Sequence, residues 1–135
     1  MITPFLNFHG KCEEAVRYYQ TVFGFEDPKF LKFGMAPLRG FDVYKDYDDK
    51  VMFTFFVVAN TQVMACDYYP GLESTPGQSV SLNIIHESEE DIRKWFELLS
   101  MDGKRGMELQ ETAWAPLYAS CIDKYGIVWQ FSWNK

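Results

Sequence analysis

Five residues of this 135-residue chain have side chains suited to covalent or proton-transfer chemistry: Cys12, Cys66, Cys121, His9 and His86. The nucleophilic form of cysteine is the thiolate, so Cys66 would react only if a neighbouring base or cation lowered its pKa. The sequence assigns it no such base, and a cysteine packed as a small hydrophobe is the competing reading. An unperturbed imidazole titrates near pH ~6.5, which equips His9 or His86 to move a proton. Each falls just beyond a predicted strand, where a partly solvated turn histidine is the plainer account. The acidic pairs Glu13-Glu14 and Glu89-Glu90 open predicted helices, where the helix dipole explains them without catalysis. The cysteines are odd in number and form no CxxC pair, so they read as reduced thiols.

Two helices and a set of strands must position these groups. Sliding the sequence by 76 positions lays Leu6-Asn7 on Leu82-Asn83, Glu13-Glu14 on Glu89-Glu90 and Arg17 on Arg93. An internal duplication follows. In the first half, residues 2–8 alternate as a strand, and apolar positions from Ala15 to Phe23 recur at helical spacing from about Cys12. Gly24 ends that helix. Phe30–Phe33 reads as a short strand, and residues 35–50 as a mobile connection. Val51–Ala59, the longest apolar run, reads as a buried strand forming a hairpin with Gln62–Asp67 around Asn60-Thr61. Asp67 is expected to anchor the connector that follows it.

The second half repeats the order. Ser79–Ile85 is a strand, and Ser88 opens a helix running to about Met101. Met107–Glu111 is a short strand, and Tyr118–Asp123 pairs with Ile127–Trp133 in a closing hairpin. The expected organisation is one domain, residues 1–135, with a first βαβββ module at 1–69, a connector at 70–78 and a second module at 79–135.

Period-two alternation then sorts side chains by face. Pro4, Leu6 and Phe8 form the greasier row, leaving Thr3, Phe5 and Asn7 on the other. Val80, Leu82 and Ile84 likewise leave Ser79, Ser81 and Asn83. In the last strand Ile127, Trp129, Phe131 and Trp133 pack, and Val128, Gln130 and Ser132 face away from them. The second row is rich in neutral hydrogen-bonding groups of the kind that line small-ligand pockets. The bland alternative is that those groups satisfy one another.

Charge and composition narrow the partners. Thirteen Lys and Arg against nineteen Asp and Glu leave a formal charge of −6, which repels phosphate backbones and argues against nucleic acid. No apolar run reaches the ~18 residues needed to span a bilayer. The N-terminus lacks a signal-peptide pattern, so cytoplasmic residence is expected.

The segments PFLNFHGKCEEAVRYYQTVFGF, VMACD and DKYGIVWQFSW, in that order, resemble the vicinal oxygen chelate superfamily of glyoxalases, dioxygenases and bleomycin-resistance proteins. They are closest to its PhnB-like branch, often labelled 3-demethylubiquinone-9 3-methyltransferase. The resemblance implies an α+β fold: two βαβββ modules with curved mixed sheets forming a shared cup, helices outside. It also implies a homodimer. Metal-dependent members place one ligand on the first and one on the last strand of each module. Those positions correspond here to Thr3, Cys66, Ser79 and Gln130, with Met64 the alternative to Cys66 if the register slips and Pro4 and Val80 the alternatives to Thr3 and Ser79 if it shifts by one. None is a histidine or carboxylate, so no metal and no cofactor are expected. The loop carrying Trp114 borders the pocket in relatives, as an aromatic lid or as ordinary packing.

The resulting expectation is a metal-independent protein that binds a small molecule through Thr3, Phe5, Asn7, Cys66, Ser79, Ser81, Asn83, Trp114, Gln130 and Ser132. A non-metal enzyme using His9, His86 or Cys66 is the rival. A metal enzyme with ligands elsewhere is the third reading.

Overall fold

The computed structural model describes residues 1–35, 45–68 and 75–135. The chain divides into two compact units, Met1–Thr75 and Pro76–Lys135. In the first, β1 (Phe5–Phe8) leads into α1 (Cys12–Phe23), followed by β2 (Leu31–Lys32), β3 (Val51–Val58) and β4 (Thr61–Asp67). The second runs β5 (Leu82–His86), α2 (Glu89–Ser100), β6 (Lys104–Arg105), β7 (Leu117–Ile122) and β8 (Val128–Trp133). The sheet orders are β1-β4-β3-β2 and β5-β8-β7-β6, so both units share one topology. In each, the first strand runs parallel to the last and the other pairings are antiparallel. This is an α+β fold of paired βαβββ modules.

The registers match as closely as the topologies. Leu6 pairs with Ala65 and Asn7 with Cys66. Leu82 pairs with Trp129 and Asn83 with Gln130. First-strand positions differ by 76 and last-strand positions by 64, so Cys66 and Gln130 hold equivalent places on their ladders.

Each helix covers one face of its own sheet. Cys12, Ala15, Val16, Tyr19 and Val22 are buried along α1, above Leu6, Phe8, Phe56 and Ala65. Ile92, Phe96 and Leu99 of α2 are fully buried, as are Trp129 and Phe131 beneath them; Phe96 meets Phe131 edge-on with ring centroids 6.0 Å apart. Gly24 closes α1 in the left-handed conformation (φ 74°), its N–H donating to the Gln20 carbonyl at 2.8 Å. Ser88 caps α2 by accepting from the Asp91 N–H at 3.2 Å.

Several expectations need correction. β1 and β5 start later than the alternation predicted, which leaves Val80 at 76% exposure rather than under a helix. The β3–β4 turn is Ala59-Asn60, both with positive φ (48° and 66°), because the hairpin twist selects that geometry. Met107–Glu111 forms no strand; one isolated bridge joins Gln110 to Tyr118, and the edge strand is Lys104–Arg105. β3 is buried on one face only, since Phe55 and Val57 are each 50% exposed. Residues 36–44 and 69–74, within the predicted mobile connection and connector, lie outside the described residues.

Candidate functional site

The open face of the second unit is built from three strands whose register aligns polar side chains. Gln130 stands opposite Asn83 on β5 and Ser120 on β7, while Ser132 stands opposite Tyr118. The Tyr118 hydroxyl donates to Gln130 Oε1 at 2.5 Å, and Gln130 Nε2 donates to Ser81 Oγ at 2.6 Å. Ser132 Oγ donates to Asn83 Oδ1 at 3.3 Å. Burial raises the Tyr118 phenol above its ordinary range, which keeps it a donor. Trp114 is 66% exposed and meets the Tyr118 ring edge-on at 5.2 Å. Ser79 is exposed and lies outside this network, upstream of β5.

The matching face of the first unit is greasier. Cys66 Sγ donates to Asn7 Oδ1 at 3.3 Å. Asn7, not Thr3, is the ladder partner of Cys66; Thr3 is half-buried ahead of β1. Phe5 and Phe55 flank Met64, their common ladder partner, and Phe53 joins the row, its ring 6.2 Å from that of Phe5. Polar chemistry is therefore concentrated in the second unit and aromatic surface in the first.

The candidate thiols are held in settings that favour their neutral form. Burial, and secondarily the Asp67 carboxylate, pushes the Cys66 thiol up to about 11, and its hydrogen-bond partner is an amide rather than a base. Cys12 and Cys121 are buried, and burial raises both; Cys121 reaches about 12. His86, the last residue of β5, contacts Asp91 Oδ2 at 3.1 Å and lies 4.9 Å from the Trp95 ring, which ties it to α2. His9 meets Tyr68 edge-on at 5.8 Å.

Asp67 does something the sequence did not reveal. Buried at the end of β4, it accepts from the Cys12 N–H at 2.9 Å and the Val51 N–H at 3.0 Å. It thus anchors the start of α1 and of β3; the connector it was expected to anchor lies mostly outside the described residues. Asp123 plays a comparable part in the second unit, accepting from the Tyr125 and Ile127 N–H groups and from Trp129 Nε1.

The four positions that the family resemblance points to as metal ligands carry no histidine or carboxylate. A first-row cation wants imidazole, carboxylate or thiolate ligands. Thr3 and Ser79 offer hydroxyls, Gln130 offers an amide already engaged at both ends, and Cys66 offers a thiol whose proton a cation would have to displace. Among the described residues, no group of three or more His, Cys, Asp or Glu is placed to hold a metal ion.

Two features escaped the sequence reading. Tyr118 was placed on a strand without a role, because its link to Gln130 needs the β7–β8 register. A cavity beside β3, lined by residues 25–29 and 55–57, also went unnoticed. Its signal was the exposed half of the apolar run Val51–Ala59.

The family described as 3-demethylubiquinone-9 3-methyltransferase matches residues 1–132. The chain belongs to this family. Protein YjdN of Escherichia coli is 30% identical over 97% of this chain and 93% of its own length. Protein PA1353 of Pseudomonas aeruginosa superposes with a TM-score of 0.86 at 27% identity, covering 99% of this chain and 97% of that one. A PhnB protein of Bacillus cereus gives a TM-score of 0.75 at 27% identity over 98% of both chains. The fosfomycin resistance protein FosX of Listeria monocytogenes shares the fold alone: TM-score 0.67, 10% identity, 100% of this chain and 93% of that one. The PhnB-like family and its vicinal oxygen chelate fold are thereby established. No helix among the described residues is long and apolar enough to cross a membrane.

Proposed function

We propose that this PhnB-like chain is a metal-independent small-molecule binding protein of the glyoxalase/bleomycin-resistance type. The observation that carries the reading is the state of Gln130. By the family resemblance it stands at a last-strand ligand position, and both ends of its amide are engaged by Tyr118 and Ser81. A neutral, doubly hydrogen-bonded amide is a poor cation ligand but a well-ordered part of a recognition surface. Asn83 is exposed on that surface, and its side-chain amide is open to an incoming partner.

Catalysis by the protein's own groups is the weaker reading. A thiol held near 11 is almost entirely neutral at pH 7, and its hydrogen-bond partner is an amide rather than a base. Methyl transfer, which the family description names, is not part of the proposal. The β1–α1 turn, His9-Gly10-Lys11, holds a single glycine and offers no Gly-rich cradle for a nucleotide-like cofactor. In this reading the protein is a homodimer residing in the cytoplasm, with no nucleic-acid or membrane partner.

Thermal unfolding with Zn²⁺, Mn²⁺ or Ni²⁺ tests the metal-independent claim. A site of micromolar affinity at millimolar cation would add about 4 kcal/mol, enough to raise Tm by many degrees in a chain of this size. The expected shift is under ~1 °C for every cation. A large rise with 1:1 stoichiometry would contradict the proposal.

A further inference from the structure

A cavity of about 380 Å³ opens beside β3 in the first unit, lined by Phe25, Glu26, Asp27, Pro28, Lys29, Phe55, Phe56 and Val57. Its origin is topological. β2 pairs with the Val51–Phe53 part of β3, and among the described residues the far half of β3 has no strand on that side. Residues 25–29 face that half of β3 across the cavity. The gap between segment and strand edge is the cavity.

The wall is built rather than loose. Thr54 Oγ1 donates to the Lys29 carbonyl at 2.7 Å, and Gln20 Nε2 reaches the Phe25 carbonyl at 3.5 Å. Arg17 pairs with Asp27, and its guanidinium lies 4.9 Å from the Phe30 ring centroid. Phe25 stacks on Phe56 with centroids 4.8 Å apart and planes 22° from parallel. Pro28 is buried. A site held this way needs little ordering when a ligand arrives.

We infer that this cavity binds a compact aromatic molecule bearing a cationic amine. The ring is taken by the apolar wall, where the half-exposed Phe55 and Val57 stand bare and Phe25 and Phe56 present a stacked pair. The amine is taken by Glu26, an exposed carboxylate at the rim, whereas the charge of Asp27 is already matched by Arg17. Lys29 also lines the cavity and is exposed, so its positive charge limits the preference for a cation to a modest factor. The net charge of −6 works in the same direction and disfavours anions. The volume falls within the ~300–1,000 Å³ range of small-ligand pockets, near its lower end. None of these residues belongs to the polar face around Gln130, so the inference stands apart from the proposal above.

Three probes with one ring and different heads test it: 2-phenylethylamine, 2-phenylethanol and phenylacetate. Backbone amide shifts on titration report where each binds. Expected are shifts in residues 25–29 and 55–57, with affinity falling from amine to alcohol to carboxylate. Phe55→Ala should weaken the amine and the alcohol about tenfold, and Val57→Ser should weaken them less. Glu26→Gln should bring the amine to the level of the alcohol. Met101→Ser, on the exposed end of α2, should change nothing. Phe55 and Val57 are half-exposed, so both variants are expected to fold, and their amide spectra verify that. Shifts confined to Asn83, Gln130 and Ser132, no shifts at all, or wild-type affinity in Phe55→Ala would overturn the inference.

Discussion

At the scale of single residues, Cys66 and Gln130 decide between binding and catalysis. With the Cys66 thiol raised to about 11, the neutral form dominates until well above pH 9. Alkylation of Cys66 by iodoacetamide should therefore rise steadily from pH 7 to 10 without a plateau. An inflection below pH 8 would mean an activated thiolate and would revive the enzyme reading. Gln130 was legible as a position on the polar row, because it alternates with the buried Trp129 and Phe131 along β8. Its engagement by Tyr118 was not, because an inter-strand register cannot be read from alternation within one strand. The faces of Leu6, Asn7, Trp129 and Gln130 were legible for the opposite reason, since each strand there keeps a strict period of two. Val80 was misplaced because residues 79–81 precede the strand, and alternation carries no meaning outside it.

At the scale of elements, the two buried aspartates matter more than any surface ion pair. Removing Asp67 leaves the Cys12 and Val51 N–H groups without their acceptor in a buried setting. Each orphaned donor costs about 1–3 kcal/mol. Asp67→Ala should lose about 3 kcal/mol in urea unfolding, against about 1 kcal/mol for the cap variant Ser88→Ala. Equal losses would show that Asp67 is not the anchor described. The β3–β4 turn gives a gain instead. Ala59 sits at φ 48°, where a Cβ is strained, so Ala59→Gly should stabilise by about 0.5 kcal/mol or more. A net loss would point to a different turn. Both helices could be read closely from sequence, because a dozen residues of period 3.6 with a glycine stop or serine cap leave little latitude. β2 and β6 could not, because a two-residue strand has no period to detect and exists only through its neighbour.

At the scale of the whole molecule, duplication explains the common topology and common register, and divergence explains the difference in chemistry. One unit kept a polar, mutually bonded open face, and the other developed an aromatic face with a cavity at its edge. The repeat was visible in the sequence because the first strands and helices align without a gap. The cavity was hidden because it depends on where β2 stops. Native mass spectrometry tests the proposed assembly: a dimer is expected at micromolar concentration, and a monomer throughout would remove that part of the account.

The proposed metal-independence rests on Thr3, Cys66, Ser79 and Gln130 carrying only hydroxyl, thiol and amide groups. Elemental analysis of freshly purified, untagged protein, before and after dialysis against a chelator, tests it most directly. The account predicts well below ~0.1 equivalent of any transition metal per chain in both samples. One equivalent of zinc, nickel, manganese or iron surviving the chelator would contradict it.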